Sequence, residues 1–199
     1  MLAHLILAAG SSSRLGREKQ LLPYAGVSLI EFVVKESLQL TDTETFVVLG
    51  YNRAVIANQI LDYDIHIITN ANWQKGMGSS ICCGVDFINQ KKTAYEGVLI
   101  SLVDQPLLDH KYLNHLIELY IQNDRDMVAT RYPETLGVPA IFSKNYFEQL
   151  LKLKGAGGAK KLLNTNKIIP SLDPGSLFFD IDTEEDYENL MTSKGLSKK

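Results

Sequence analysis

Cysteine is nearly missing from this chain: Cys82 and Cys83 are its only two, and they are adjacent. Neighbouring thiols suit neither an ordinary disulfide nor a metal centre, so both are expected as reduced core residues. Positive charge is not in excess either. The formal net charge is −3, which argues against a nucleic-acid coat, since such proteins are basic. No apolar run approaches the roughly 20 residues of a membrane-spanning helix. The first strand pattern begins almost at Met1, so no secretory leader is expected ahead of it. A cytoplasmic protein, with no membrane and no nucleic-acid partner, is the simplest expectation. Repeats, low-complexity tracts and Pro/Gly-rich linkers are absent, which points to one domain over residues 1–192. Residues 193–199 read as a short basic tail, expected to be disordered. Nucleophile–histidine pairs of the hydrolase kind are absent as well: His4 lies in the first strand, and His66, His110 and His115 fit no motif.

What is present is an ordinary globular composition, 45% hydrophobic and 22% charged over 199 residues, enough for a sizeable core. Strand and helix patterns alternate along it. Residues 4–8 form a short apolar run, 45–49 a β-branched one closed by Gly50, 65–69 another, and 97–103 the clearest buried strand. Between them, 28–40 pair apolar positions at helical spacing (Leu29 with Val33, Ile30 with Val34), 54–61 read as a helix, and a helix runs from Ser79 or Ser80, as its cap, to about Ile88. Asp109 caps a helical pattern through Tyr112, Leu116 and Tyr120; strands at 127–131 and 137–142, a helix at 144–153 and a last strand at 176–179 follow. The alternation predicts an α/β fold with one three-layer, mostly parallel sheet covered by helices on both faces. Ligands in such sheets gather at the carboxyl ends of the strands, near the switch in strand order.

One stretch stands out. Residues 4–23 read HLILAAGSSSRLGREKQLLP: a buried strand, a small-residue loop, then Arg14 and Lys19. Small side chains let the backbone approach another group closely, and a loop of amides with two cations suits a polyphosphate. The spacing of Gly10 and Gly16 is neither the G-x-G-x-x-G of dinucleotide sites nor a Walker A loop. A second chemical signal is Asp104, which follows the buried strand in the triplet Asp104-Gln105-Pro106. Asp109 is the better helix cap, which frees Asp104, and hard carboxylate oxygens at a strand end suit magnesium bridging to phosphates.

The run Leu7-Ala8-Ala9-Gly10-x-Ser12-x-Arg14-x-Gly16-x-x-Lys19-Gln20 resembles the signature loop of the nucleotidyltransferases that act on the molybdenum cofactor, and within them the cytidylyltransferase branch. The resemblance extends over nearly the whole chain. It implies a Rossmann-like domain whose loop, through Leu7, Ala8, Ala9, Gly10, Ser12, Arg14 and Lys19, wraps the triphosphate of a nucleotide. A Trp-x-x-Gly pattern at Trp73 matches the family segment that lies against the base, with Gly76, Ser80 and Gly84 fitting it best; Trp73 itself is expected in the core, with closing the site as its other role. Asp104-Gln105-Pro106 resembles the family's metal motif, and Asp180-Ile181-Asp182-Thr183 its ending, with Glu184 in place of a proline. The implied magnesium ligands are Asp104 and Asp182, with Asp180 as the alternate, since strand alternation puts both on one face. Gly137-Val138-Pro139 resembles a strand lining the acceptor side, and with Gly158 supplies the implied acceptor contacts. There the chain departs from the family, with Val138 for a common histidine, Ala156 for an acid and Lys160 for an arginine.

The function this implies is transfer of CMP from CTP, with GTP less favoured, to the terminal phosphate of the molybdopterin cofactor, using magnesium and releasing pyrophosphate. Arg14, Lys19 and Asp104 carry the catalysis, by positioning and charge stabilisation. A recipient molybdoenzyme is an implied partner. Two other readings stay open: a sugar phosphate or other small phosphorylated acceptor, and a maturation factor that carries the cofactor without turnover.

Overall fold

The computed structural model describes residues 1–124, 126–164 and 168–196. Its centre is strand β1 (Leu2–Ala8), all seven residues of which are buried. A strand buried on both faces needs neighbours on both edges. β4 (Thr43–Leu49) pairs with it in parallel on one side and β6 (Gly97–Leu102) on the other. β5 (His66–Thr69) extends the parallel set beyond β4. Past β6 come β8 (Thr135–Ser143), antiparallel to both β6 and β7 (Met127–Tyr132), and the two-residue β9 (Ser171–Leu172) at the edge. The seven-stranded order is β5-β4-β1-β6-β8-β7-β9, with β2 (Pro23–Tyr24) and β3 (Val27–Ser28) forming a separate small hairpin. The sheet is mostly parallel, as the alternation predicts. The chain winds away from β1 in both directions, so the switch in strand order lies between β1 and β6, at their carboxyl ends.

Alternate residues of β1 enter opposite cores. Leu5 and Leu7 meet Ile81, Val85 and Ile88 of α3 (Met77–Asn89), with α5 (Phe147–Leu151) and α6 (Lys160–Leu163) on the same face. Ile6 and Ala8 meet Leu29, Ile30 and Val34 of α1 (Leu29–Ser37), Ile56 of the short α2 (Arg53–Ala57), and Tyr187 and Leu190 of α7 (Glu184–Ser193). α4 (His110–Gln122) covers β6 and β8 through Leu113, Leu116 and Tyr120. His4 is fully buried, bonded to Ser37 Oγ at 2.6 Å and Ser101 Oγ at 2.7 Å; burial pushes its pKa down to about 3, so it is a neutral core residue. None of the helices is long and apolar enough to cross a membrane among the described residues.

Several elements differ from expectation. The helix expected over 54–61 spans only Arg53–Ala57, and that over 144–153 is a 3-10 turn plus the five residues of α5. Neither serine caps α3: Gly76 holds the cap position, and Ser79 Oγ donates to the carbonyls of Gly76 and Asn72. The expected strand over 176–179 is instead a 3-10 turn at Gly175–Leu177 with Phe178 extended after it, and it belongs to neither sheet. Asp109 and Thr183 do cap α4 and α7, Thr183 within a reciprocal capping box with Asp186. Ser193 closes α7 and Leu196 packs against the α1–α7 core, while residues 197–199 of the basic tail lie outside the described residues.

Candidate functional site

The loop that leaves β1 is held from within. Ser12 takes a left-handed conformation with φ 52°, and its carbonyl accepts from the N–H groups of Leu15 and Gly16. Gln20, almost fully buried, donates through Nε2 to the carbonyls of Ala8 and Gly10, each at 2.9 Å. The Lys19 N–H donates to Ser12 Oγ at 3.2 Å. This pinned loop forms one side of a cleft of about 440 Å³ at the carboxyl ends of β1 and β6, which also takes in Trp73, Gly76, Ser80 and Asp104.

Asp104 sits just past the end of β6, and its carbonyl accepts from the N–H of Ile181 at 3.0 Å. That bond seats the 180–182 segment beside the strand end. Ile181 is fully buried, so the acids on either side of it face outward: Asp182 into this cleft and Asp180 into a second cavity next door.

The cations and acids pair with one another. Lys19 Nζ donates to Asp104 Oδ2 at 2.9 Å, to Asp182 Oδ1 at 3.2 Å and to the carbonyl of Ile181. Arg14 Nη1 donates to Asp182 Oδ2 at 2.8 Å. Burial pulls the Lys19 ammonium down, but the charges of Asp104 and Asp182 and their hydrogen bonds outweigh it and leave the pKa raised. Lys19 is therefore a cation throughout the physiological range. Asp104 Oδ1 is buried and has no hydrogen-bond partner. Among the described residues, three potential metal-ligating atoms converge only at Glu36, Asp109 and His110, away from the cleft, where His110 Nδ1 and its backbone N–H already engage Glu36.

The opposite wall is built by the segment after β5. Gly76 has φ +92°, and a side chain there would meet the Gly155 backbone at 2.7 Å, so both conformation and space require glycine. Asn70, buried, clamps the helix start by donating to Ser79 Oγ at 2.9 Å and Ser80 Oγ at 3.0 Å. Trp73 is half-buried, packs against the core on the α3 face, stands edge-on to Tyr51 at 5.6 Å, and also lines the cleft. Gly84, by contrast, faces the sheet: a side chain there would strike Leu5 at 2.5 Å, so its place in the pattern reflects close helix–strand packing.

The second cavity, about 380 Å³, shares Met77 and Leu102 with the first and so continues it. Tyr132 and Phe178, with rings 4.7 Å apart, form its aromatic part, and Lys160 stands on its lining. Gln105 Nε2 donates to Asp180 Oδ1 at 2.8 Å and to Tyr132 Oη at 3.1 Å, and Tyr132 Oη in turn donates to the Val138 carbonyl. Gly137 lines this cavity. Pro139 and Gly158 do not: Pro139 follows a cis peptide bond and its carbonyl accepts from Thr130 Oγ1, and Gly158 packs on Met77. Burial raises the Asp180 pKa, the Gln105 hydrogen bond opposes this, and the charges of Asp104 and Asp182 add to the rise. A carboxyl raised by folding binds more protons in the folded state, so stability falls as pH climbs from the ordinary carboxylate range through the folded pKa. Asp180→Asn is thus expected to be more stable than the wild type at neutral pH. Chemical denaturation across pH checks this; the gap should close in acid, and a gap independent of pH would contradict it.

Sequence reasoning did not find Gln20, Asn70, Gln105, Tyr132 or Phe178 as site builders. Gln20 and Gln105 carry a local signal, since each adjoins a charged site residue. The other three act through contacts distant in sequence.

Known proteins bear on this cleft. The family described as the MobA-like NTP transferase domain matches residues 4–170. Purine catabolism protein PucB of Bacillus subtilis (strain 168) is 28% identical over 198 residues, covering 92% of this chain and 93% of that protein. Nicotine blue oxidoreductase of Paenarthrobacter nicotinovorans is 38% identical over 115 residues, 57% of this chain and 54% of that protein. Among solved structures, that of Rv0371c from Mycobacterium tuberculosis H37Rv superposes with a TM-score of 0.79 at 26% identity, covering 96% of this chain and 98% of that one.

Proposed function

The chain belongs to the MobA-like NTP transferase domain family and is a nucleotidyltransferase; from that premise we propose that it transfers CMP from CTP to the terminal phosphate of a molybdopterin cofactor, using magnesium and releasing pyrophosphate. The observation that carries this reading is the meeting of Lys19 and Arg14 with Asp104 and Asp182 on the floor of the loop-lined cleft. Two cations and two carboxylates at one point are what a metal-bound triphosphate requires.

Arg14 and Lys19 hold the triphosphate, orient its α-phosphorus toward the neighbouring cavity and offset the charge that grows on the departing pyrophosphate. The partnerless, buried Asp104 Oδ1 and the hard oxygens of Asp182 fit magnesium, and these two residues would hold it. When bound, magnesium neutralises charge on the phosphates and acts as a Lewis acid at phosphorus. Asp180, bonded to Gln105, faces the acceptor side instead. The acceptor's phosphate oxygen forms the new bond to the α-phosphorus as the bond to pyrophosphate breaks.

The aromatic second cavity with Lys160 on its lining supports an acceptor that joins a flat ring system to a phosphate. Its contiguity with the first favours transfer between two bound substrates. An oxidoreductase, which the name of one relative raises, finds no support in the loop, because Gly10 and Gly16 lack the spacing of dinucleotide sites.

Ala9 governs the base in this reading. The resembling cytidylyltransferases have alanine at this position and the relatives that use GTP have glycine; here Ala9 is buried on the cleft wall, and its carbonyl accepts from the Tyr51 N–H. A methyl group narrows the slot enough to admit a pyrimidine and crowd a purine. One methyl is worth about 1–3 kcal/mol of discrimination, so Ala9→Gly should erode a preference for CTP over GTP without reversing it. Specificity constants for both nucleotides in both proteins test this. A wild type preferring GTP, or an unaltered ratio in the variant, would refute the base assignment.

A further inference from the structure

The four charged groups of the cleft cancel one another, and their arrangement determines how ligands enter. Lys19 Nζ lies between Asp104 Oδ2 and Asp182 Oδ1, at 2.9 and 3.2 Å, with its side chain only 10% exposed. A divalent cation on the same two acids would find Asp104 Oδ1 free but both Asp182 oxygens taken, by Lys19 and Arg14, and it would stand close to the ammonium, where like charges repel. We propose that Lys19 is a built-in occupant of the metal position, and that metal and nucleotide load together by an exchange of ion-pair partners. The proposal rests on the metal-and-triphosphate reading above.

Each ligand alone meets an obstacle. A divalent cation that enters by itself must expel Lys19, leaving a largely buried ammonium and the Arg14 guanidinium without their acids, beside a new positive charge. Breaking a buried pair by removing one partner is costly for that reason. A triphosphate that enters by itself can draw Lys19 and Arg14 away, but it then leaves Asp104 and Asp182 facing its own negative charge. When both arrive, every charge finds a partner: the carboxylates take the metal, and Lys19 and Arg14 take the phosphates. The two affinities are then coupled, each ligand raising the other's by the same factor. The Ile181 carbonyl, which also accepts from Lys19 Nζ, makes the closed arrangement a defined state rather than a loose surface contact.

Arg14 contributes less. Its side chain is 74% exposed and, among the described residues, its ion-pair partner is Asp182 alone, so solvent replaces it easily. Lys19 is therefore the group whose removal should open the metal position.

Manganese(II), followed by electron paramagnetic resonance, is the probe, with and without a non-hydrolysable CTP analogue. Wild-type protein should bind manganese weakly alone. Lys19→Met should bind manganese alone about tenfold tighter or more, the equivalent of about 1.4 kcal/mol, and lose affinity for the analogue. Manganese should raise the melting temperature of Lys19→Met more than that of the wild type. Adding Asp182→Asn to Lys19→Met should abolish the gain, which ties it to the shared acids. Lys19→Gln, which keeps a hydrogen-bonding head, should show the same direction and serves if the methionine variant folds poorly. If both Lys19 variants bind manganese no tighter than the wild type while all bind it with the analogue, the exchange is wrong and the metal reading stands. If the wild type binds no manganese even with the analogue, the metal reading falls and takes this proposal with it.

Discussion

Asp104→Asn is expected to lower kcat/KM about a thousandfold or more, because a lost metal ligand forfeits several kcal/mol of transition-state stabilisation and each 1.36 kcal/mol is tenfold. The substitution keeps the shape of the side chain and removes its charge. Its effect on the fold should be smaller, because Lys19 keeps Asp182 and the Ile181 carbonyl as partners. A stability loss of about 1.5–3 kcal/mol, the range for a hydrogen bond to a charged group, is the expectation. Steady-state kinetics and urea denaturation on the same preparation separate the two. Near-normal magnesium-dependent turnover in folded Asp104→Asn would remove Asp104 from the metal site.

Lys19→Met is expected to lower kcat about a hundredfold to a thousandfold, the cost of removing one preorganised donor from a developing charge. If Lys19 acts mainly on the departing pyrophosphate, kcat falls more than KM rises. This loss is expected in the same protein that binds manganese more tightly. A residue that only anchored the loop would lower turnover without improving metal binding, so the pair of measurements distinguishes the two roles. Arg14→Met should do less, given its exposure. Unchanged kinetics in Lys19→Met would return residues 9–20 to an ordinary strand-to-helix turn.

The residues of the cleft were legible in the sequence where local pattern and topology coincide. A buried strand ending in a small-residue loop, and a second ending in Asp104, both run parallel at the centre of the sheet. Their carboxyl ends therefore share one edge, which sets the loop after β1 beside Asp104. Asp109 and Thr183 were legible as caps because capping is local. What could not be read was long-range pairing. No pattern in residues 9–20 indicates that Lys19 rests on acids from two distant segments, and nothing in Gly137-Val138-Pro139 shows that the Pro139 carbonyl accepts from Thr130 Oγ1 and that Pro139 stays off the second cavity. The 176–179 segment has strand composition but folds as a 3-10 turn outside both sheets. Asp180 and Asp182 nonetheless flank Ile181 in extended chain, one on each cavity. Gly84 shows the converse error: a position that fits a ligand-binding pattern serves the packing of α3 on Leu5.

The central claim is nucleotidyl transfer to a molybdopterin-type acceptor. Its most direct measurement is pyrophosphate release when the protein is mixed with CTP, magnesium and molybdopterin cofactor, with each component omitted in turn. The account predicts release matched by CMP-bearing cofactor, dependent on all three components, and lost in Asp104→Asn. Tight binding of the cofactor with no pyrophosphate, or release that a sugar phosphate supports and the cofactor does not, would contradict it.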